Sequence, residues 1–352
     1  MPQPHTVTLY FHSILYKTIL MALLIYGATG YTGRLATAHA NELGLNIILG
    51  GRSPSTKTLA TSLNLPFRIF TLDNPDAIDA AISDITVVLN TAGPFHRTAE
   101  PLIEAAIRNK THYLDVAAEL DSYKLAEKND ARAKEAGVML LPGCGGSVAQ
   151  LGCLAGHAVD RVAKKKKKKP ASIDISLYVA GSMSRGSAIS ASENMTARCV
   201  QILDGELVPR DDTTTLRLDF DTGAGELINY PVTLPDLITL RKSTKVRNIR
   251  TWVHPAGDAF PTGDLASLPD GPTAEERAAS PYHAVALVTA EDGSVTRSVL
   301  HTVNGYTFTG VASAEGARRV LGGEVKAGFQ TPVEVFGSRF VEVVEGTRIV
   351  DF

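Results

Sequence analysis

The sequence predicts an α/β fold: a Rossmann-type doubly wound parallel sheet, then a second α+β domain with a mixed or antiparallel sheet. Three observations predict it. Short apolar runs alternate with helical periods from Met21 to Gly146, and continuously apolar strands of this kind belong in parallel sheets covered on both faces. The first run feeds a glycine turn, "GATGYTG". Beyond Gly146 the strands alternate apolar and polar residues with period two, as in a sheet with one exposed face.

The elements follow in order. "ALLIYG" (Ala22–Gly27) reads as a buried strand and "TGRLATAHANELG" (Thr32–Gly44) as a helix closed by glycine. "NIILGG" is the second strand, "TKTLATSLN" a short helix and "FRIFTL" the third strand. "NPDAIDAAISD" opens with Asn74 and Pro75, a helix-start signal. "ITVVLNTAG", "HYLDVA" and "VMLLPGCGG" supply three more strands, separated by the helices "TAEPLIEAAIRNK" and "LDSYKLAEKNDARAKEAG". A helix capped by Ser147 then runs into six lysines, Lys164 to Lys169. "SIDISLYVAG", "TLRLDF" and "HAVALVTAEDGSVTRSVLHT" read as strands, with "SAISASENMTARCVQIL" as one long helix among them. Residues 254–281, rich in Pro, Gly and Asp, read as a loop. The expected division is a poorly ordered extension over 1–20, a dinucleotide-binding domain over 21–146 and a substrate domain over 147–310.

Composition narrows the function. A formal net charge of −2 with 20% charged residues gives no global field for nucleic acid. The lysine run suits a solvated helix C-terminus, where cations complement the helix dipole. The three cysteines, Cys144, Cys153 and Cys199, form no CxxC, so neither a disulfide framework nor a metal site is expected. The apolar stretch from Leu9 to Tyr26 is interrupted by His12 and Lys17. A span needs about 20 unbroken apolar residues, so no stable membrane span is expected and the location is expected to be cytoplasmic. No HExxH, GxSxG or P-loop lysine motif appears.

The glycine turn carries the strongest chemistry. A parallel strand entering such a turn and then a helix makes an anion site, because the helix's first amides are free. Gly27 permits the tight turn, Gly30 lets a pyrophosphate approach the backbone, and Gly33 permits close helix–strand packing. Thr29, Tyr31 and Thr32 complete the expected phosphate contacts. At the end of the second strand, dinucleotide folds place an acid for a ribose hydroxyl or an arginine for a 2′-phosphate. Here "LGGRSPSTK" has no acid but offers Arg52, Ser53 and Lys57, which predicts NADP(H). The fourth strand ends in "NTAGPF", at the sheet edge where ligands bind. There Asn90, Ala92, Gly93 and Pro94 are expected to border the cofactor, with Phe95 walling the nicotinamide.

At these residues the chain resembles the saccharopine dehydrogenase-like oxidoreductases, in particular the branch called trans-acting enoyl reductases. The resemblance runs from Met21 nearly to the C-terminus, on "GATGYTG", "NTAGPF", "HYLDVAAE", "SMSRGSA", "RKSTKVRNI", "NGYTFTG" and "GFQTPVEVFG". It implies an NADP-binding Rossmann domain, a mixed α+β second domain and a C-terminal segment, 311–352, that returns to the first domain. Related members reduce imines or double bonds of lipid and polyketide-like products. The chain departs from the family at Ala118, where glycine is usual, and at Cys144 and Gly145, which stand in place of an aromatic and an aspartate.

Reduction also needs a proton donor or a group that stabilises developing negative charge. The candidates are Tyr113 and Asp115 on the fifth strand and His96 after the fourth. Arg185, Ser187, Lys242 and Ser243 are candidates from the second domain. The expected activity is NADPH-dependent reduction of a C=C or C=N bond in a hydrophobic small molecule, with a homodimer allowed. A non-redox isomerase or cyclase, or a dinucleotide-binding regulator, would share the same sequence signals.

Overall fold

A computed structural model describes residues 21–194, 198–210, 213–257, 259 and 263–352. The expected extension over 1–20 lies outside the described residues. From Leu23 the chain runs through β1 (Leu23–Tyr26), α1 (Tyr31–Glu42), β2 (Ile47–Gly51), α2 (Ser55–Leu63), β3 (Phe67–Ile69) and α3 (Pro75–Ile82). It continues with β4 (Val87–Asn90), α4 (Phe95–Asn109), β5 (His112–Asp115), α5 (Leu120–Lys128), α6 (Asp130–Ala136) and β6 (Met139–Leu141). Then come α7 (Gly146–Asp160), β7 (Pro170–Ala180), α8 (Arg185–Asn194), β8 (Val200–Leu203), β9 (Glu206–Pro209) and β10 (Leu216–Asp219). Next are β11 (Glu226–Pro231), α9 (Asp236–Thr244), β12 (Asn248–Ala256), α10 (Ala274–Ala278), β13 (Tyr282–Ala290) and β14 (Val295–Thr302). The last are α11 (Gly305–Leu321), β15 (Gly328–Phe329), α12 (Pro332–Phe336) and β16 (Arg348–Asp351).

The first sheet is parallel, in the order β15-β6-β5-β4-β1-β2-β3. Its strands are apolar on both faces because helices cover both, and two separate cores fill those layers. The strand order reverses between β1 and β4, the crevice where open α/β sheets bind ligands. Asn74 caps α3 through its side chain, which accepts from the amides of Asp76 and Ala77.

The second sheet runs β10-β11-β12-β7-β13-β14-β16, with β8 and β9 branching from β12. It is mixed: β7 and β12 lie parallel, whereas β13, β14 and β16 pair antiparallel. Helix α7 covers one face of it, and a smaller cluster of Leu218, Phe220, Val285 and Val299 fills the other. Within 311–352, α11 packs on α1 and β15 joins β6 in the first sheet, while β16 hydrogen-bonds to β14 in the second. The close approach of α11 to α1 needs Gly310, where a Cβ would lie 3.0 Å from that of Leu35.

Several local expectations are corrected. Residues 120–137 form two helices that break at Asn129 rather than one. The expected long helix over 187–203 is α8 followed by strand β8, because Ile202 buries against Ile249 of β12. Ser147 does not cap α7, whose N-cap is Gly145. That helix ends at Asp160, followed by one π turn over Arg161–Lys165. The lysines beyond are tied to the β13–β14 hairpin: Lys166 Nζ donates to Thr296 Oγ1 at 2.8 Å, and Lys168 Nζ to Ser294 Oγ at 2.8 Å. Residues 254–281 are less irregular than expected, since β12 extends to Ala256 and Thr273 with Glu276 forms a capping box on α10. Thr-x-x-Glu was the available signal for that helix.

Candidate functional site

The loops after β1, β2, β3, β4, β5 and β6 open on one cavity of about 1400 Å³, closed on the far side by the second sheet. The glycine turn forms its floor. Gly27 sits at φ +84, and a Cβ there would lie 2.8 Å from the Cβ and amide nitrogen of Ala92. At Gly30 a Cβ would meet only Gly27 O, at 3.2 Å, so its other side is open. A Cβ at Gly33 would lie 2.8 Å from Thr91 Oγ1 and 2.9 Å from Ala28 Cα, which lets α1 press onto the β4 end. Gly30 is the N-cap of α1 and supplies no side-chain cap. The first amides of α1 therefore remain for an anion.

Thr29, Gly30, Tyr31 and Thr32 line the cavity, as do Arg52 and Ser53 beyond β2. Arg52 is exposed and makes no hydrogen bond or ion pair with a described residue, so its guanidinium is available to a ligand. Burial raises the Tyr26 phenol, and nearby Arg52 opposes that shift. Lys57 does not reach the cavity, whereas Thr71, Leu72 and Asp73 after β3 do. Sequence reasoning missed those three because nothing local marks a loop that only the sheet order brings alongside β2. An open helix terminus and a glycine-lined approach fit a dinucleotide pyrophosphate, and the Arg52 guanidinium, without a partner among the described residues, fits a 2′-phosphate.

The segment after β4 divides. Ala92, Gly93 and Phe95 line the cavity; Asn90 and Pro94 do not. Asn90 is fully buried and holds the loop instead. Its Nδ2 donates to Thr98 Oγ1 at 3.0 Å and to the Tyr113 hydroxyl at 3.2 Å, while its Oδ1 accepts from Ala92 N at 3.0 Å.

The three sequence candidates for proton transfer also stand outside the cavity lining. The fully buried Tyr113 hydroxyl donates to Asp115 Oδ2 at 2.9 Å. Asp115 Oδ1 accepts from Ala117 N at 3.0 Å and Gly143 N at 2.8 Å, tying the ends of β5 and β6 together. Burial pushes the Asp115 carboxyl up to about 6, against the pull of those donors. A phenol so enclosed is a bracing group, not one open to substrate. His96 is partly exposed, with Nδ1 3.6 Å from Glu119 Oε2.

Glu119 is the acidic side chain that the "HYLDVAAE" segment delivers to the cavity. It is 5% exposed and accepts from Phe95 N at 3.0 Å and His96 N at 2.9 Å, so it caps α4. Its function was not visible in sequence, because the cap spans 24 residues. The second domain contributes Leu177, Val179, Val232, Leu234 and Val253 as an apolar wall, with Arg185 and Ser187 at its rim. Lys242 is instead paired with Glu334 at 2.7 Å, and neither Lys242 nor Ser243 lines the cavity. Cys144 is buried against Gly316, leaving Gly145 and Gly146 to face the cavity.

Among the described residues no group of three or more His, Cys, Asp or Glu could hold a metal ion, and no helix is long and apolar enough to cross a membrane.

Comparison with known proteins identifies the first domain. Residues 23–141 match the family described as Saccharopine dehydrogenase NADP binding domain, and the cofactor is accordingly NADP(H). A trans-acting enoyl reductase of Mycobacterium leprae is 30% identical over 135 residues, 35% of this chain and 32% of that protein. A probable mitochondrial saccharopine dehydrogenase-like oxidoreductase of Arabidopsis thaliana is 30% identical over 142 residues, 35% of this chain and 31% of the relative. The chain thus aligns with about a third of these relatives' length. The saccharopine dehydrogenase (L-Glu forming) of Saccharomyces cerevisiae superposes over 94% of this chain and all of its own, with TM-score 0.63. At 13% identity that likeness is one of fold.

Proposed function

With residues 23–141 matching the saccharopine dehydrogenase NADP-binding domain, we propose that this chain is an NADPH-dependent oxidoreductase. It reduces a C=C bond, or in second place a C=N bond, of a hydrophobic small molecule. One observation carries the reading: the glycine turn, Arg52 and an apolar wall of the second sheet share a single cavity. A volume of about 1400 Å³ exceeds the roughly 300–1,000 Å³ of a pocket for one drug-sized ligand, leaving room for a second molecule beside the cofactor. Bound NADPH supplies a hydride.

The chain's own groups do the rest. The uncapped amides of α1 bind phosphate, and Leu177, Val179 and Val253 exclude water from the substrate. Glu119 is the acid–base group, and His96 behind it leads to solvent. This replaces Tyr113 in that role, since Glu119 lines the cavity whereas the fully buried Tyr113 does not.

The test uses C4-deuterated NADPH and conjugated enoyl and imine substrates, with the product analysed by mass spectrometry. Deuterium on carbon in the product supports the reading. Product formed without label and without NADPH consumption would mean an isomerase or cyclase on the same fold. Glu119→Gln should lower turnover about 10²–10⁴-fold and leave NADPH affinity unchanged; equal turnover removes Glu119 from the chemistry.

A further inference from the structure

Two guanidiniums from different domains meet one carboxylate at the cavity rim. Arg34 of α1 donates Nη1 to Thr29 O at 2.6 Å, inside the glycine turn, and its Nη2 lies 3.3 Å from Asp270 Oδ2. Arg185, the first residue of α8, hydrogen-bonds Asp270 Oδ1 through Nη2 and reaches Ala266 O at 3.5 Å through Nη1. All three side chains line the cavity, with Arg34 and Arg185 each 41% exposed and Asp270 56%.

Such exposed pairs contribute only about 0–1 kcal/mol each, so stability does not explain the convergence. Its charge and shape point elsewhere. Two cations on one carboxylate leave a positive excess, and Arg277 adds a third guanidinium nearby at the Tyr31 hydroxyl, 2.6 Å away. Guanidinium forks bind carboxylate and phosphate in the same bidentate manner, and a phosphate dianion balances two of them. Arg34 is anchored to the turn whose amides await a phosphate.

We propose that Arg34 and Arg185 form a phosphate-binding subsite bridging the two domains, and that Asp270 is a built-in anion occupying it until a ligand phosphate takes its place. The inference rests on the glycine turn being the dinucleotide site. It makes the second domain a direct participant in cofactor affinity, which the Rossmann half alone does not require. Displaced from the guanidiniums, Asp270 leaves loop 263–273 held by Tyr31, against whose ring Gly271 packs and whose hydroxyl bonds Pro272 O.

The sign of one substitution separates this role from a simple latch. Asp270→Asn removes the competing charge and should tighten NADPH binding about two- to fivefold, whereas loss of a latch would weaken it. Arg185→Gln should weaken NADPH binding about tenfold or more. Both variants and the unaltered chain are titrated with NADPH, NADH and inorganic pyrophosphate, with folding checked by thermal melting. If the captured group is the 2′-phosphate, NADH affinity stays constant across the variants. If it is the pyrophosphate, NADH and inorganic pyrophosphate shift together with NADPH. Weaker NADPH binding by Asp270→Asn, or no change in any ligand on Arg185→Gln, overturns the proposal. Should the unaltered chain bind no NADPH while Arg185→Gln still weakens pyrophosphate binding, the dinucleotide reading fails and the phosphate subsite stands.

Discussion

At the scale of single residues, the site separates groups that face the cavity from groups that hold it open. Arg52 belongs to the first kind, since it is exposed, lines the cavity and has no hydrogen-bond or ion-pair partner among the described residues. Arg52→Ala should cost about 1.5–3 kcal/mol in NADPH binding, the usual loss for a charge-assisted bond, and nothing in NADH binding. Parallel titrations with both cofactors check this; equal losses would make Arg52 structural. Asp236 stands apart from the cavity. It is fully buried, neither carboxylate oxygen bonds another described residue, and burial pushes its carboxyl up to about 7 although its own amide pulls down. A folded value above the unfolded one means the native state holds the proton more tightly. That stability is therefore present below about pH 4 and lost as pH rises through 7. Replacing the carboxylate by a neutral amide should remove the dependence. Asp236→Asn should melt higher than the unaltered chain at pH 8, by at most about 4 kcal/mol, and equal it near pH 4. A melt series across that range decides.

At the scale of elements, the glycine turn combines two requirements that substitution can separate. Gly33 faces protein: a Cβ would press on Thr91 Oγ1, Ala28 Cα and Gly27 O. Gly33→Ala should destabilise the chain by about 1–3 kcal/mol, as overpacking does. Gly30 faces the cavity, with only Gly27 O within 4 Å. Gly30→Val should therefore fold nearly as well but lose NADPH binding, because the branched side chain stands where phosphate must approach. Retained binding in that variant would remove the turn from the site. Loop 263–273 shows the converse case, an element with little regular structure of its own that is fixed by Tyr31, Arg34 and Arg185.

At the scale of the whole molecule, the chain crosses between the sheets more than once, so the two halves are stitched together. After α11 and β15 have joined the first sheet's layers, β16 returns to pair with β14. There Asp351 meets His157 at 2.9 Å and Arg161 at 3.1 Å. Deleting residues 348–352 removes a four-residue ladder and those ion pairs and exposes the edge of β14. Stability should fall by about 2–4 kcal/mol on the usual net value of a hydrogen bond, with NADPH affinity unchanged. Thermal melting and cofactor titration of the shortened chain check both halves of that statement.

By itself the sequence determined what depends on near neighbours along the chain. Apolar runs specified buried strands, Asn74 and Pro75 a helix start, and three glycines a turn whose helix amides stay free. Arg52, just beyond the end of a strand, was legible as a cavity residue for the same reason. What only the tertiary structure decided depends on groups far apart in sequence. Tyr113 looked available, but burial among Asn90 and Asp115 closes it off. Glu119 faces the cavity while capping a helix that begins 24 residues earlier. Ile202 left a helical pattern because Ile249 offered a strand partner. The meeting of Arg34, Arg185 and Asp270 spans 236 residues. Local propensity is a weak prior worth tenths of a kcal/mol per residue, and burial against a distant partner is worth several times more, so distant packing settles these positions.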